Sequence, residues 1–305
     1  MILELEIDKT TEIKKEQVII SCLESIFYDQ KDSGEIASYR SSFEDMSKPE
    51  TKSNVFITPI ILEILNRIKN NYSLADLIIN KGIIFLLDNK EDKYTWRFFG
   101  KNSKIIPDYD DIAVILRLFE ENIEGLNYRD FANEINSQLN NKGLFYTWFA
   151  EKGEVNNIDW VVNVNIYLYL KRHDFELISI EKYIEKIILH NEFREGSYYY
   201  HSFYYFFYLV SKGYKYFNSF QKCKPIIISE ILLNIDYLNS TYLALAIVTL
   251  KNLGFKDKTI LTNFENRLIN NEQNYAMYSF FRHRTIEKFY GSYSFTNSII
   301  IEALC

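Results

Sequence analysis

Cations are in the minority: 35 Lys and Arg stand against 41 Asp and Glu, a net charge of −6. Binding a phosphate backbone takes clustered Lys and Arg, so this balance speaks against nucleic acid as a partner. Glycine and proline are scarce, at 10 and 4 in 305 residues, which excludes a collagen-like or linker-rich chain. The three cysteines, Cys22, Cys223 and Cys305, lie far apart without a CxxC pair. They suggest no disulfide framework, but two buried thiols and one at the C-terminus. No apolar run approaches the roughly 18 residues of a membrane helix. Met1–Thr10 alternates apolar and acidic residues, without the basic start and apolar core of a signal peptide. A cytoplasmic protein is expected. What the chain does have is apolar content, 47 % hydrophobic against 25 % charged, enough to bury a sizeable core.

Aromatic residues are abundant: 24 Tyr, 23 Phe and 3 Trp. A genome rich in A and T produces such a composition, and so does a pocket walled by rings. Only position along the chain separates the two.

Apolar residues recur mostly at three- and four-residue spacings, as in Ile60, Ile61, Ile64, Leu65 and Ile68, the helical period. Six segments are apolar nearly all round behind a small polar opening: Asn54–Ile68, Asp108–Phe119, Asp159–Leu170, Ser197–Val210, Ser240–Leu250 and Ser292–Leu304. Helices of that kind are buried on every side. They alternate with amphipathic segments at Glu16–Tyr28, Leu74–Asp88, Tyr128–Asn140, Ser179–Asn191, Pro225–Tyr237 and Lys258–Asn271. The spacing is that of a helical-hairpin repeat. It predicts an all-α (α/α)6 toroid of six inner and six outer helices, with a plain α-solenoid as the competitor. The toroid would be a single domain over 1–305, in which 1–50 hold the N-terminal outer helix and first loop and 51–305 the repeating hairpins.

Inner helices that run the same way open on one face, so their polar starts would converge round a single mouth. The starts are Thr58; Asp108, Asp110 and Asp111; Asp159, Asn163 and Asn165; Ser197 to His201; Asn239 and Thr241; and Ser292, Ser294, Thr296 and Asn297. Free N–H groups and the positive end of the helix dipole gather there too, which makes that face the default binding site.

Within it, Pro107-Asp108-Tyr109-Asp110-Asp111-Ile112-Ala113-Val114 carries a DxDD pattern. Protonating an alkene or epoxide requires a strong acid in a dry pocket, where a lone Asp at neutral pH would be ionised. Adjacent carboxyls cannot both ionise cheaply, so one keeps its proton. The same letters are also a good helix start, since acids at the N-cap and first turn satisfy N–H groups and the dipole. A cation formed in the pocket would be stabilised by ring faces. Tyr198, Tyr199, Tyr200, Phe203, Tyr204, Phe206 and Phe207 suit that task, with Trp148, Trp160 and Phe295.

The DxDD stretch resembles that of class II terpene cyclases of the squalene–hopene cyclase type, which are built from α/α toroid domains. Phe289-Tyr290-Gly291-Ser292-Tyr293-Ser294-Phe295-Thr296-Asn297, Asp159-Trp160-Val161-Val162-Asn163-Val164-Asn165 and Gly143-Leu144-Phe145-Tyr146-Thr147-Trp148-Phe149 resemble segments of single-domain bacterial prenyltransferase and squalene-oxidase-repeat proteins. The resemblance implies proton-initiated cyclisation of a prenyl or polyprenyl chain, with Asp110 as general acid and Asp108 and Asp111 in support. Trp148, Trp160, Asn163, Tyr198, Tyr200, His201, Tyr204, Phe295 and Thr296 would line the substrate site. No redox cofactor and no metal site are implied, and Mg2+ enters only if a diphosphate is anchored. The partner is a small hydrophobic isoprenoid-like substrate. Such enzymes usually place the cavity between two toroids, and this chain has length for one, which leaves three alternatives: a small substrate, a second subunit or membrane surface that closes the mouth, or loss of the ancestral catalysis. Arg97, Lys101 and Lys104 precede the motif as scattered cations, short of a diphosphate cluster.

Two other readings stay open. A non-catalytic toroid would bind a lipid or protein partner in the same aromatic cavity. An (α/α)6 glycoside hydrolase would need two carboxylates across a groove, for which Asp110 and Asp159 are the candidates. The four histidines, His173, His190, His201 and His283, show no metal-binding spacing. His201 stands where it would orient a DxDD carboxyl or serve as a core histidine. No phosphate loop, GxSxG elbow or HExxH motif is present.

Overall fold

The computed structural model describes residues 2–149, 156–216, 220–271, 275, 277, 279–283 and 287–305. Twelve α-helices are found among them: α1 (Ile2–Asp29), α2 (Ile57–Leu65), α3 (Ser73–Asp88), α4 (Tyr109–Asn122), α5 (Tyr128–Asn136), α6 (Trp160–Leu170), α7 (Ile178–Leu189), α8 (Phe203–Lys212), α9 (Cys223–Asn234), α10 (Ser240–Asn252), α11 (Lys258–Ile269) and α12 (Tyr293–Leu304). The even-numbered helices are those whose sequence is apolar all round. Every residue of α2 is buried, and so is every residue of α6 except Trp160. The odd-numbered helices bury one stripe, as α5 does with Phe131, Ala132 and Ile135.

The polar openings start these helices. Asp108 accepts a hydrogen bond from the backbone N–H of Asp111 at 2.8 Å, and Asp159 from Val161 at 2.7 Å. Asn239 and Ser292 do the same for Tyr242 and Phe295. Each satisfies an N–H that the first turn leaves free. Pro59 and Pro225 fall at the third position of α2 and α9, where a missing N–H costs no helical bond.

α2, α4, α6, α8, α10 and α12 each pack against the next, and α12 returns to α2, so the six buried helices close a cycle. The others lie outside it: α1 on α12, α3 on α2, α7 on α6 and α11 on α10. Of the cysteines, Cys22 and Cys223 are buried and Cys305 is exposed. No helix among the described residues is long and apolar enough to cross a membrane.

The expectation of an all-α chain needs one correction. Four short strands, β1 (Tyr39–Ser41), β2 (Glu50–Thr51), β3 (Ser279–His283) and β4 (Lys288–Gly291), form an antiparallel sheet in the order β2-β1-β4-β3. Strands of two to five residues are too short to show a period-two pattern. Pairing of Tyr39 with Gly291 joins the segment after α1, expected as loop, to the lead-in of α12.

Candidate functional site

Among the described residues, the start of α4 opens on a cavity lined by Asp108, Asp110 and Asp111, with Phe56, Phe98, Thr147, Trp148, Val162, Tyr199, Tyr200 and Phe281 around them. About 20 Å³ of it is free, room for a single water. All three aspartates are buried.

Backbone pairing fixes the walls. Residues 147–149 run antiparallel to 107–109, with the N–H of Tyr109 donating to the carbonyl of Thr147 at 3.0 Å and that of Phe149 to Pro107 at 2.9 Å. Trp148 is thereby held beside Asp108. The loop before α8 turns at Gly196, whose φ is +70° and where a Cβ would come within 2.9 Å of the His201 backbone. The turn returns Tyr199 and Tyr200 to the cavity. The N–H of Tyr199 donates to Asp159 at 3.0 Å, and its carbonyl accepts from the N–H of Arg282 on β3 at 2.7 Å. Phe281 is thus brought in next to them. Its ring stacks on Phe98 and Tyr199, with centroids 5.4 and 5.8 Å apart, and meets Tyr200 edge-on.

The acids divide their tasks. Asp108 is the N-cap of α4. Asp110 caps nothing. Its Oδ1 accepts from Asn165 Nδ2 at 2.7 Å and its Oδ2 from the Tyr200 hydroxyl. Burial, and then the charge of Asp108, push the Asp110 carboxyl up to about 7. Burial pushes Asp108 up to about 6 against the opposing N–H of Asp111. Among the described residues, no donor reaches the Asp111 carboxyl oxygens. Burial and its two acidic neighbours raise Asp111 well above the ordinary carboxyl range. The cluster retains protons where an exposed carboxyl would not.

The structure gathers Asp108, Asp110, Asp111, Trp148 and Tyr200 from the expected set. It places the others elsewhere. Trp160 packs towards Phe206, with centroids 6.3 Å apart, and Tyr204 stacks on Tyr242. Asn163 bonds the N–H and carbonyl of Phe145, and Phe295 packs on Tyr205. Thr296 shares a hydroxyl bond with Thr241 at 2.9 Å. Tyr198 lies against Tyr199, behind the wall. His201 faces Glu44 at 3.7 Å and the ring of Phe289, away from the carboxyl it was expected to orient, and burial lowers its pKa. Phe98, Phe281 and Asn165 were not among the expected site residues, although Asn165 stands in a polar opening that the sequence displays.

Outside the ring wall lies a second cavity of about 500 Å³. It shares Phe98, Trp148, Tyr199 and Phe281 with the first and adds Phe99, Tyr290, Ile105, Ile106, Arg40, Lys52 and Lys104. Of the three cations expected before the motif only Lys104 reaches it. Arg97 is held by Glu91 at 2.6 Å and Lys101 by the carbonyl of Asp88 at 2.6 Å.

No protein-family model matches this chain, and no curated protein matches it by sequence. Solved structures match it along nearly its whole length. The resemblance carried by the acidic motif holds as architecture: the fold is that of a single-domain class II terpene cyclase. An arginine variant of the type II terpene cyclase MstE from Scytonema, in complex with its substrate geranylgeranyl dihydroxybenzoate, superposes with a TM-score of 0.72 at 9 % identity, over 97 % of this chain and 98 % of that one. An aspartate variant of MstE with the same substrate gives 0.71 at 10 % identity, over 97 % of each chain. A protein from Actinoplanes gives 0.69 at 12 % identity, over 95 % of this chain and 98 % of that one.

Proposed function

We propose that the protein is a class II terpene cyclase in which Asp110 starts the reaction by protonating the terminal alkene or epoxide of a prenyl or polyprenyl chain. The observation that carries this reading is a buried carboxyl pushed to about 7 inside an aromatic wall. In the alkene case its O–H bond breaks as a C–H bond forms, leaving a tertiary cation. Successive alkenes attack the cation, each forming a C–C bond, and loss of a proton ends the sequence with the mass unchanged. Tyr200, Tyr199, Trp148, Phe98 and Phe281 offer ring faces to the cations, at about 0.5–2 kcal/mol each. The reading includes a single (α/α)6 toroid over 1–305, supported by the closed packing cycle of the even-numbered helices. The matched cyclases are covered over 98 % and 97 % of their own chains, which supports a site built within one toroid.

Of the two carboxylates expected for the sugar-hydrolase alternative, Asp159 is occupied by the N–H groups of Val161, Val162 and Tyr199. The lipid- or protein-binding toroid is the alternative that the test must exclude. Purified protein is incubated with prenyl diphosphates, squalene and prenylated aromatic acids, and products are followed by mass spectrometry beside Asp110→Asn. A product of unchanged mass and altered retention, absent with the variant, is expected. Conversion by both proteins, or by neither, overturns the reading.

The free space at Asp110 is too small for a prenyl chain, so the rings between the two cavities move aside on entry. Phe281→Ala is expected to leave that wall open to water. Products heavier by one water then appear, because water traps the cation. An unaltered product spectrum overturns the role of Phe281 as a water barrier. Arg40 is held by Glu50 at 2.8 Å, which leaves Lys52 and Lys104 in the outer cavity to meet a head group with negative charge, such as the diphosphate or carboxylate of the chain. Lys52→Ala combined with Lys104→Ala is expected to raise KM about tenfold with little change in kcat, the scale of one charge-assisted contact. An equal KM for charged and uncharged substrates in both proteins would exclude that subsite.

A further inference from the structure

Asp110 and Arg117 lie seven residues apart on α4, two helical turns and about 10 Å along its axis, and both are buried. A continuous set of bonds joins them across α6. Arg117 donates from Nη1 to the backbone carbonyl of Asn165 at 2.8 Å and from Nη2 to Asn165 Oδ1 at 3.2 Å. Asn165 donates from Nδ2 to Asp110 Oδ1 at 2.7 Å. Behind Arg117, Glu63 of α2 accepts from its Nε at 3.3 Å and its Nη2 at 3.0 Å, and Lys212 of α8 donates to the same carboxylate at 3.2 Å.

A carboxamide has an acceptor end and a donor end, whereas a guanidinium only donates. Arg117 therefore settles which way round the Asn165 amide sits: oxygen towards the guanidinium, N–H towards Asp110. In the reverse orientation an oxygen would face Asp110 and favour its protonated form. As held, an N–H faces it and favours the carboxylate left behind after a proton is given up. We propose that Arg117 is a positioning residue for the acid, compelling Asn165 to donate to Asp110 and so making Asp110 a stronger proton donor. This rests on the reading of Asp110 as the general acid.

The groups facing Asp110 are Asp108 and Asp111 from its own helix, Asp159 from the cap of α6, and Tyr200 and Tyr205 from α8 and its approach. These are acids and phenols, all of which disfavour a carboxylate by charge when ionised. The amide N–H and the Tyr200 hydroxyl work in the other direction. Asn165 occupies Oδ1 and Tyr200 one lone pair of Oδ2, so a second position on Oδ2 stays available for the acidic proton.

The test pairs Arg117→Met with Glu63→Gln, so that neither of these two charges is left without the other, while Lys212, whose pKa burial already lowers, can shed its proton. In this double variant the alkaline limb of the kcat–pH profile is expected to move up by about one pH unit, the scale of a hydrogen bond to a charged carboxylate. The kcat plateau is expected to fall about tenfold, because a weaker acid delivers its proton more slowly. Asn165→Ala is expected to move the limb by the same amount, and to add nothing in the double-variant background. A purely structural role would lower kcat and leave the limb where it was. That result, or shifts that add, overturns the proposal. Failure of the cyclase reading shows separately, as wild-type protein without turnover. In that event the infrared band of the protonated Asp110 carboxyl, identified by its loss in Asp110→Asn, still reports the midpoint without substrate. A midpoint that does not move in the double variant overturns the positioning role.

Discussion

Asp110→Asn is expected to stay folded and to lose at least about a thousandfold in turnover, the upper range of general-acid effects. The amide has the shape of the protonated carboxyl. It keeps an acceptor for Asn165 and a polar partner for Tyr200, and lacks only the acidic proton. Stability is expected to respond in the opposite direction. Asp110 is raised from 3.8 to about 7. A group raised in this way leaves stability intact below its unfolded value and withdraws it as pH rises through the folded one. A rise of about three units corresponds to about 4 kcal/mol at most, and Asn does not titrate. The variant is therefore expected to unfold at a higher temperature than the wild type at pH 8, and at nearly the same temperature at pH 4. Thermal unfolding followed by circular dichroism at the two pH values measures this. A difference independent of pH would show that Asp110 does not ionise at a cost in the folded protein, and retained turnover would remove it as the acid.

The helices were legible in the sequence because each rests on a local period. The apolar-all-round segments become α2, α4, α6, α8, α10 and α12, and their polar openings become caps. The acid cluster was legible for the same reason, being four consecutive positions at one helix start. The wall was not. Phe98 comes from the loop after α3, pinned by the bond from the N–H of Val55 to its carbonyl. Phe281 comes from β3, a strand whose position depends on pairing with β4. Such neighbours are set by contacts between distant segments and leave no periodic trace. Arg40, in β1, reached the outer cavity in the same way. On α6 the error was one of phase. Trp160 was expected in the pocket, yet Val162 lines it. Two residues turn a helix by about 200°, so the large ring faces away. Asn165 stood in view as a polar residue at an inner opening, but its bond to Asp110 depends on the register of α6 against α4.

The second large effect concerns the ion cluster that joins α2, α4 and α8 behind the acid. Glu63 is buried with Arg117 and Lys212 on its two oxygens. Burial alone would raise its pKa, but the two cations outweigh burial and hold the carboxyl far below its usual range. Glu63→Gln leaves their charges without an anion. Lys212 has a way out, since burial already lowers its pKa and it can shed a proton. Arg117 has none, because a guanidinium keeps its charge under all these conditions. Loss of one partner from a buried pair costs about 3–5 kcal/mol, and that is the expected fall in unfolding free energy by urea titration. Adding Arg117→Met is expected to recover most of it, since the stranded charge goes too. The sign of the pH dependence separates this cluster from the acid cluster. A carboxyl held low contributes stability above its unfolded value of 4.5, and that contribution is lost only as pH falls towards the folded value. The Glu63→Gln deficit should therefore persist from pH 6 to pH 8, easing only as far as Lys212 gives up its proton, while the Asp110→Asn gain grows over the same range. A deficit that shrinks on the Arg117→Met background confirms that the penalty is an uncompensated charge, and one that adds instead would assign it to lost packing.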